Sequence, residues 1–340
     1  MAFDPTLLLE ARATIESATA GKITQNNLRV PYFGAASAFM NGTNQLIRGV
    51  PELKLRSDQP TSIPVFNKIP AGTGTLRKCA GTGTGATALV PVVYEGITEE
   101  FALTKVELQG NAVSRNAALA YLLAEKTKAI YKRINDKSLA FLEANKASVN
   151  NGTYFSTSTA GAKRVPYAQR NELFAGMQAE QMANNFSGLT EVVAGFNLGS
   201  VYGFQQNQGA NNNVNLQYQL QNIDPYFTSI PNGPGVFDTA YSFEAGTVGM
   251  FSWLRPDFVE GEDIGTDVWM TMELAPMPGM EQGLEVEVKV KKECVGEAIY
   301  RESVVMHIDV AFLSAYAETT GDSGIYKTEL LAPTSGAAGA

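Results

Sequence analysis

The sequence predicts an α+β fold with a helical middle and an antiparallel sheet drawn largely from the last third of the chain. Three observations carry this. From Asn111 to Asn151 there is neither glycine nor proline, and Gly110 and Gly152 bracket the run. Inside it Leu119, Leu122, Leu123, Ile130, Ile134, Phe141 and Leu142 recur at helical spacing, the mark of an amphipathic helix. Further on, apolar residues alternate with polar ones at period two: Val268, Met270, Met272 and Leu274; then Leu284, Val286, Val288 and Val290; then Val304, Met306, Ile308, Val310 and Phe312. Such alternation predicts a sheet with one buried face.

Composition sets the outer limits. A chain of 340 residues suggests two domains, or one with large insertions, and 44% apolar residues can bury a substantial core. Net charge is −8 and the pI about 4.9, which argues against a protein whose main task is gripping nucleic acid by its phosphates. The charge is uneven. Residues 111–170 hold ten Lys/Arg against three acids, whereas residues 236–322 hold five against seventeen. This reads either as an intersubunit charge match or as ordinary solvated faces. Cys79 and Cys294 lie far apart and form no CxxC, so zinc and thioredoxin-type readings lack support and a reducing cytoplasm fits. The start, MAFDPTLLLEAR, lacks the basic opening and long apolar stretch of a signal peptide, and no run approaches 18 apolar residues, so no membrane partner is expected.

Taken in order, residues 1–62 read as mostly irregular, with a short helix around Thr6–Ala20 and then Pro31, Pro51 and Pro60. Tyr32, Phe33, Phe39, Leu46, Ile47, Leu53 and Leu55 make the segment too apolar for a free tail, so it is expected to be an arm lying on a partner subunit. Residues 63–109 read as a projecting β-hairpin, with limbs IPVFNKI and ALVPVVYEGI–EEFALTKVEL around the Gly/Thr-rich tract AGTGTLRKCAGTGTGATA. Within residues 110–188, a helix filling the whole Gly/Pro-free run would span roughly 50–60 Å, long enough to brace a flat subunit. Glu172–Asn185 reads as a second helix, and Leu189–Phe204 as a third, loosened by Gly195, Gly199 and Gly203. Residues 205–222 contain twelve Gln/Asn and read as an exposed loop holding one strand, Val214–Tyr218. Residues 251–330 supply the returning strands, and 331–340 read as a frayed tail.

Signals for chemistry are weak. Gly81-x-Gly83-x-x-Ala86 loosely matches a dinucleotide fingerprint, but that motif needs a strand before it and a helix after it, and here the apolar strand follows, so a flexible loop tip is the better reading. His307 is the only histidine; it sits on the polar side of a strand, two residues from Asp309, and no G-x-S-x-G elbow exists to make a triad. Glu260, Glu262, Asp263 and Asp267 form an acidic turn without the twelve-residue calcium pattern. Lys126, Lys128, Lys132, Arg133 and Lys137 make a basic helix face that could meet DNA, a neighbour's acids or solvent. No catalytic, cofactor or metal residue is assigned, and an enzyme is not expected.

The order of parts — apolar arm, Gly-rich projecting hairpin, very long helix, mixed region with a polar loop, closing strands — resembles the major capsid protein of tailed bacteriophages, a fold shared with encapsulin shells. The resemblance covers nearly the whole chain and is one of layout, since no short motif carries it. It implies an N-terminal arm over 1–62, an E loop over 63–109, a P domain with its spine helix over 110–188 and an A domain over 189–250, with 251–330 returning to both domains. It implies self-assembly through pentamers and hexamers into an icosahedral shell around phage DNA in the host cytoplasm, with no cofactor and with scaffold, portal and decoration proteins as further partners. Residues expected at assembly interfaces are Tyr32, Phe33, Phe39, Arg77, Lys78, Phe101, Ile130, Tyr131, Glu260, Glu262 and Asp263. Some family members crosslink a loop lysine to a neighbour's asparagine; Lys68 and Lys78 lie in the right region, but no acceptor is identifiable and no crosslink is expected. An encapsulin-like cargo shell or another virion structural protein is the alternative, and an α/β enzyme of unknown chemistry the third reading, which an activity abolished by changing His307 would support.

Overall fold

The structure is a computed structural model; it describes Ala13 and residues 32–66, 87–104, 115–148, 155, 157–159, 161–184, 186, 188–204, 222–255, 262–264, 267–295, 299–315 and 323–333. In chain order these form α1 (Gly34–Leu46), α2 (Val50–Lys54), β1 (Ser62–Phe66), β2 (Thr87–Pro91), β3 (Glu95–Thr104), α3 (Arg115–Ala144), β4 (Thr157–Thr159), β5 (Ala162–Val165) and α4 (Leu173–Ala183). The rest is mostly strand: β6 (Thr190–Gly195), β7 (Ile223–Thr228), β8 (Val236–Glu244), β9 (Val248–Trp253), β10 (Glu262–Ile264), β11 (Asp267–Glu273), β12 (Glu285–Val295), β13 (Ile299–Ser314) and β14 (Tyr326–Leu331).

The period-two segments do form a sheet. Strands run β10-β11-β12-β13-β3, and β9 pairs with the far end of β13, all antiparallel. Its inner face carries Val286, Val288, Val290, Val304, Met306, Ile308, Val310 and Ile97, all essentially inaccessible. The stripe of α3 packs on this face through Leu123, Ile130, Tyr131, Ile134 and Leu142. The helix is shorter than the Gly/Pro-free run: its 30 residues span about 45 Å. It stops at Ala144 because competing hydrogen bonds take over. The Asn145 side-chain amide donates back to the Phe141 carbonyl, and the Ala147 N–H goes to Ile325 O, outside the helix.

A second sheet has the order β4-β5-β14-β8-β6-β7; β14/β5 and β6/β7 are parallel pairs and the others antiparallel. Its own core comprises Leu173, Phe174 and Met177 of α4 with Val165, Val192, Ala194, Ala240 and Leu330. A third cluster joins the base of the β1–β2 hairpin to α1, α2 and β9 through Leu46, Leu53, Ile63, Val65, Phe251 and Trp253.

Three expectations are corrected. Residues 33–54 are not irregular: they form α1 and α2, and Phe33, Ala35, Ala36, Ala38 and Phe39 are buried in this chain's own core. Small residues allow the close approach; a Cβ at Gly42 would stand 2.3 Å from the Val248 carbonyl oxygen. The segment EEFALT does not extend the hairpin; it lies in β3, which pairs with β13. Residues 189–204 are not one helix. Thr190–Gly195 is a strand buried along its whole length, with helix only over 198–204. The run Thr190-Glu-Val-Val has no helical period, and β-branched residues favour a pleated, two-sided burial. The helix expected at Thr6–Ala20 (save Ala13, which is helical), the loop tip 67–86 and the strand 214–218 lie outside the described residues.

Candidate assembly surfaces

The β1–β2 hairpin shows its apolar side chains on two faces. Ile63 and Val65 turn into the core, whereas Phe66, Leu89 and Val93 turn outward. Leu89 is 72% exposed, Val93 83% and the nearby Leu55 82%. A strand pair that buries one face and leaves Leu and Val on the other has an uncovered apolar surface of the sort that marks an interface. Sequence reading placed the hairpin and noted Leu55 but missed Leu89 and Val93; the signal was the unbroken apolar run ALVPVV, too apolar for a strand with one wet face. Phe196 (53% exposed), Phe204, Met182 and Leu189 are exposed near the second sheet and were also missed.

The helix cations do not form a free basic face. Glu99 of β3, its side chain only 8% exposed, lies 3.0 Å from Lys126 Nζ and 2.8 Å from Arg133 Nη2, and Arg133 also donates to the Thr98 carbonyl. Lys137 pairs with Glu95, Lys128 with Glu125 at 2.7 Å, and Lys132 with Asp136 at 2.7 Å. Each of the five cations therefore has a carboxylate on its own chain, and two of those acids, on β3, lie in the hairpin-to-sheet segment rather than the acidic C-terminal third. The described ion pairs of these cations are thus within the subunit and involve no acid of residues 236–322.

Of the residues expected at interfaces, the structure buries Phe33, Phe39, Ile130 and Tyr131 in the subunit core, where Tyr131 Oη also accepts the Leu284 N–H at 3.1 Å. Their apolar character serves this chain's folding. Tyr32 is exposed at 55%, and Phe101 is partly buried beside Leu103. Glu262 and Asp263 are in β10, paired through their backbones with Trp269 and Val268. Arg77, Lys78 and Glu260 lie outside the described residues, as does Lys68.

Three polar junctions fix how the elements sit. Asn135, buried midway along α3, accepts at Oδ1 from Ala35 N (3.1 Å), Ala36 N (3.4 Å) and Thr228 Oγ1 (3.1 Å). It thus caps the start of α1 from another helix, doing what an N-cap side chain normally does locally; Phe33, the residue in the cap position, makes no side-chain cap bond. Asp238, 1% exposed, accepts from Asn197 N, Asn232 Nδ2 and Thr239 N, and so holds the turn that starts the 198–204 helix. Glu143, near the end of α3, meets the second sheet: Tyr241 Oη donates to it at 2.6 Å, Lys327 Nζ lies at 3.2 Å, and Lys146 pairs with it. Burial alone would raise the Glu143 carboxyl, but hydrogen bonds from Lys146 and Tyr241 and the charge of Lys327 outweigh it and hold the group below its ordinary range. Burial, reinforced by that carboxylate, pushes the Tyr241 hydroxyl well above its ordinary value.

His307 faces Thr98 Oγ1 at 2.7 Å through Nδ1 and Asp309 Oδ1 at 3.2 Å through Nε2, on the side of β13 away from the core. Across the same surface, Tyr94 is pushed up to about 12 by burial and by Asp309. Among the described residues no group of three or more His, Cys, Asp or Glu is placed to hold a metal ion, and no described helix is long and apolar enough to cross a membrane.

No family model matches the chain, and no curated protein matches it. Solved structures do. The capsid chain of Ralstonia phage GP4 is 9% identical with a TM-score of 0.51, over 92% of this chain and 95% of that one. The capsid of cyanophage Pam1 is 14% identical, with a TM-score of 0.41 over 93% and 98%; Mycobacterium phage Bobi gives 12%, 0.40, 93% and 97%. The Ralstonia phage correspondence runs through nearly the whole length of both chains, and at so low an identity it speaks for the backbone alone. The chain has the α+β fold of a phage capsid protein.

Proposed function

We propose that this chain is a major capsid protein, a subunit that assembles with copies of itself into a closed icosahedral shell around a phage genome. The observation that supports this most is the near end-to-end correspondence of fold with the Ralstonia phage GP4 capsid chain. The distribution of surface types is consistent with it. The subunit satisfies its helix cations internally, yet leaves Leu55, Leu89 and Val93 uncovered on and beside a two-stranded hairpin. Such a surface gains by meeting another copy, and repetition over a closed shell multiplies a modest contact. A net charge of −8 suits a wall that encloses DNA without holding it fast. On this reading the chain is a virion component without catalytic chemistry, its main partners are its own copies in five- and six-fold rings, and assembly takes place in the host cytoplasm.

Expression of the full chain, followed by mass photometry and electron microscopy of the concentrated protein, tests the reading. Closed particles of uniform size are expected, with nucleic acid as the contents when they are made beside the phage's packaging proteins. A species that stays monomeric or dimeric at every concentration, with scaffold supplied, overturns it. Particles filled with a protein cargo would assign the chain to a cargo shell instead.

A further inference from the structure

A groove of about 1090 Å³ runs along α3 and is lined on its other side by Ile230 and Pro231 of the β7–β8 loop. Tyr32 and Phe196 also line it, each more than half exposed. Solvated aromatic rings on a groove mark a surface that gains from being covered. The α3 residues that line it recur every three or four positions from Glu125 to Glu143, so they form one stripe about 27 Å long. The order of side chains along that stripe identifies an occupant. Turned end for end about a point near residue 134, the stripe meets itself in register: Lys132 falls opposite Asp136, Ala129 opposite Ala140, and Lys128 opposite Leu139.

We propose that the groove takes the α3 helix of a second copy, packed antiparallel across a two-fold axis near residue 134. Such a contact is isologous, so each copy's α3 enters the other's groove. Lys132 Nζ and Asp136 Oδ2 lie 2.7 Å apart on one helix, with side chains 67% and 55% exposed, so both keep bonding capacity towards a neighbour. In the pair, these two residues and their symmetry mates alternate in sign around a square, each charge between two of opposite sign. Ala129 opposite Ala140 lets the helix axes approach to about 8–10 Å. Lys128 lays its aliphatic stem on Leu139. Glu125 falls opposite Glu143, but each acid brings its own cations: Lys128 lies 2.7 Å from Glu125, and Glu143 has Lys327 at 3.2 Å and Lys146 beside it. A parallel, in-register pair would instead set Lys132 against Lys132 and Asp136 against Asp136. The charges thus fix direction and register, while the covered rings and alanines supply most of the affinity. The contact joins two subunits in solution and stands or falls apart from the shell reading.

Charge reversal in the full chain tests it. Lys132→Glu puts four acids at the centre of the pair and Asp136→Lys four cations, so each variant alone should dimerise roughly tenfold or more weakly than the parent. An equimolar mixture of the two should regain the parent's dimer, because acids on one helix then face cations on the other. Sedimentation velocity at low salt, below the concentration at which particles form, reads parent, variants and mixture. Parent strength in each single variant, or no recovery on mixing, overturns the proposal; a charge role confined to one helix gives no recovery. Cysteine trapping supplies a second readout. In a background of Cys79→Ser and Cys294→Ser, Ala129→Cys chains mixed with Ala140→Cys chains should form linked dimers on mild oxidation, and neither variant should do so alone. Links within either variant alone would show a parallel or unrelated contact and overturn the proposal, as would a monomeric parent whose mixed variants form no link.

Discussion

Phe39 separates two accounts of the first fifty residues. In one, the apolar residues there belong to an arm that binds a partner; in the other, they build this subunit's core. Phe39 is fully buried and packs edge-on against Phe141 and Phe312, each with ring centroids 5.6 Å away. Removing a ring from such a site costs ~3–5 kcal/mol through lost transfer energy and the cavity left behind. The two edge-to-face contacts, worth ~0.5–1.5 kcal/mol each beyond area, place Phe39→Ala towards the upper end. A domain's whole stability is about 5–15 kcal/mol, so the loss is a third of it or more. The assay is urea unfolding of dilute, unassembled subunits, with Tyr32→Ala as control because Tyr32 is 55% exposed and should shift stability by only ~0.5 kcal/mol. If Phe39→Ala left the dilute subunit within ~1 kcal/mol of the parent while blocking assembly, the core assignment would be wrong and the arm account right.

Other substitutions test the polar junctions. Asn135→Leu removes the acceptor for two α1 backbone donors and the Thr228 hydroxyl, and should destabilise the subunit by ~1–3 kcal/mol in the same unfolding assay. At Gly195 a Cβ would stand 1.8 Å from Asp238 Oδ1, so Gly195→Ala should lower the thermal midpoint clearly, whereas Gly233→Ala, with open space around it, should not. Glu143 has its folded-state pKa below the unfolded value, so its contribution is complete above the ordinary carboxyl pKa and is lost as pH falls through the lowered one. Glu143→Gln should flatten that acid limb, by no more than ~1 kcal/mol because the side chain is 44% exposed; an unchanged stability-versus-pH curve would count against the junction.

What the sequence disclosed follows from which signals are local. The long helix and the β11–β13 strands were legible because their apolar residues repeat at one period on one buried face. The β6 strand was misread because it is buried on every side and so carries no period, and its glycine was taken for a helix loosener; Gly195 is in fact the space that Asp238 occupies. The α1 helix was missed for a related reason: GAASAFMNGTNQL has small residues and no local cap, and its cap, Asn135, comes from a hundred residues downstream. The partner of a charge is equally invisible in one dimension. The excess of cations in 111–170 and of acids in 236–322 suggested a meeting of those two regions, yet the helix cations are met by Glu95 and Glu99 of β3 and by acids of α3 itself. Of the interface residues chosen from sequence, the apolar ones on α1 and α3 were chosen for being apolar, which is also what a core requires.

On the proposed capsid function, that internal satisfaction of charge bears on what would hold neighbouring subunits together. A cation already paired with a buried carboxylate has little to give a neighbour, and exposed pairs contribute only ~0–1 kcal/mol each. The uncovered side chains on and beside the β1–β2 hairpin are the better source, since burying a Leu or Val fully is worth about 1.5–3 kcal/mol. Val93, 83% exposed, can take a charge without disturbing the fold. Val93→Asp should therefore leave the unfolding curve of the dilute subunit unchanged but weaken each contact by ~2 kcal/mol or more, raising the concentration needed for particles by about thirtyfold, at 1.4 kcal/mol per tenfold. Moderate salt should shift that threshold far less, because the described cations of α3 are already paired within the subunit. Light scattering over a concentration series, at low and high salt, reads both effects. A Val93→Asp subunit that assembles at the parent's threshold, together with parent particles that dissolve on adding salt, would place the binding energy in charge pairs after all and remove the hairpin from the contact.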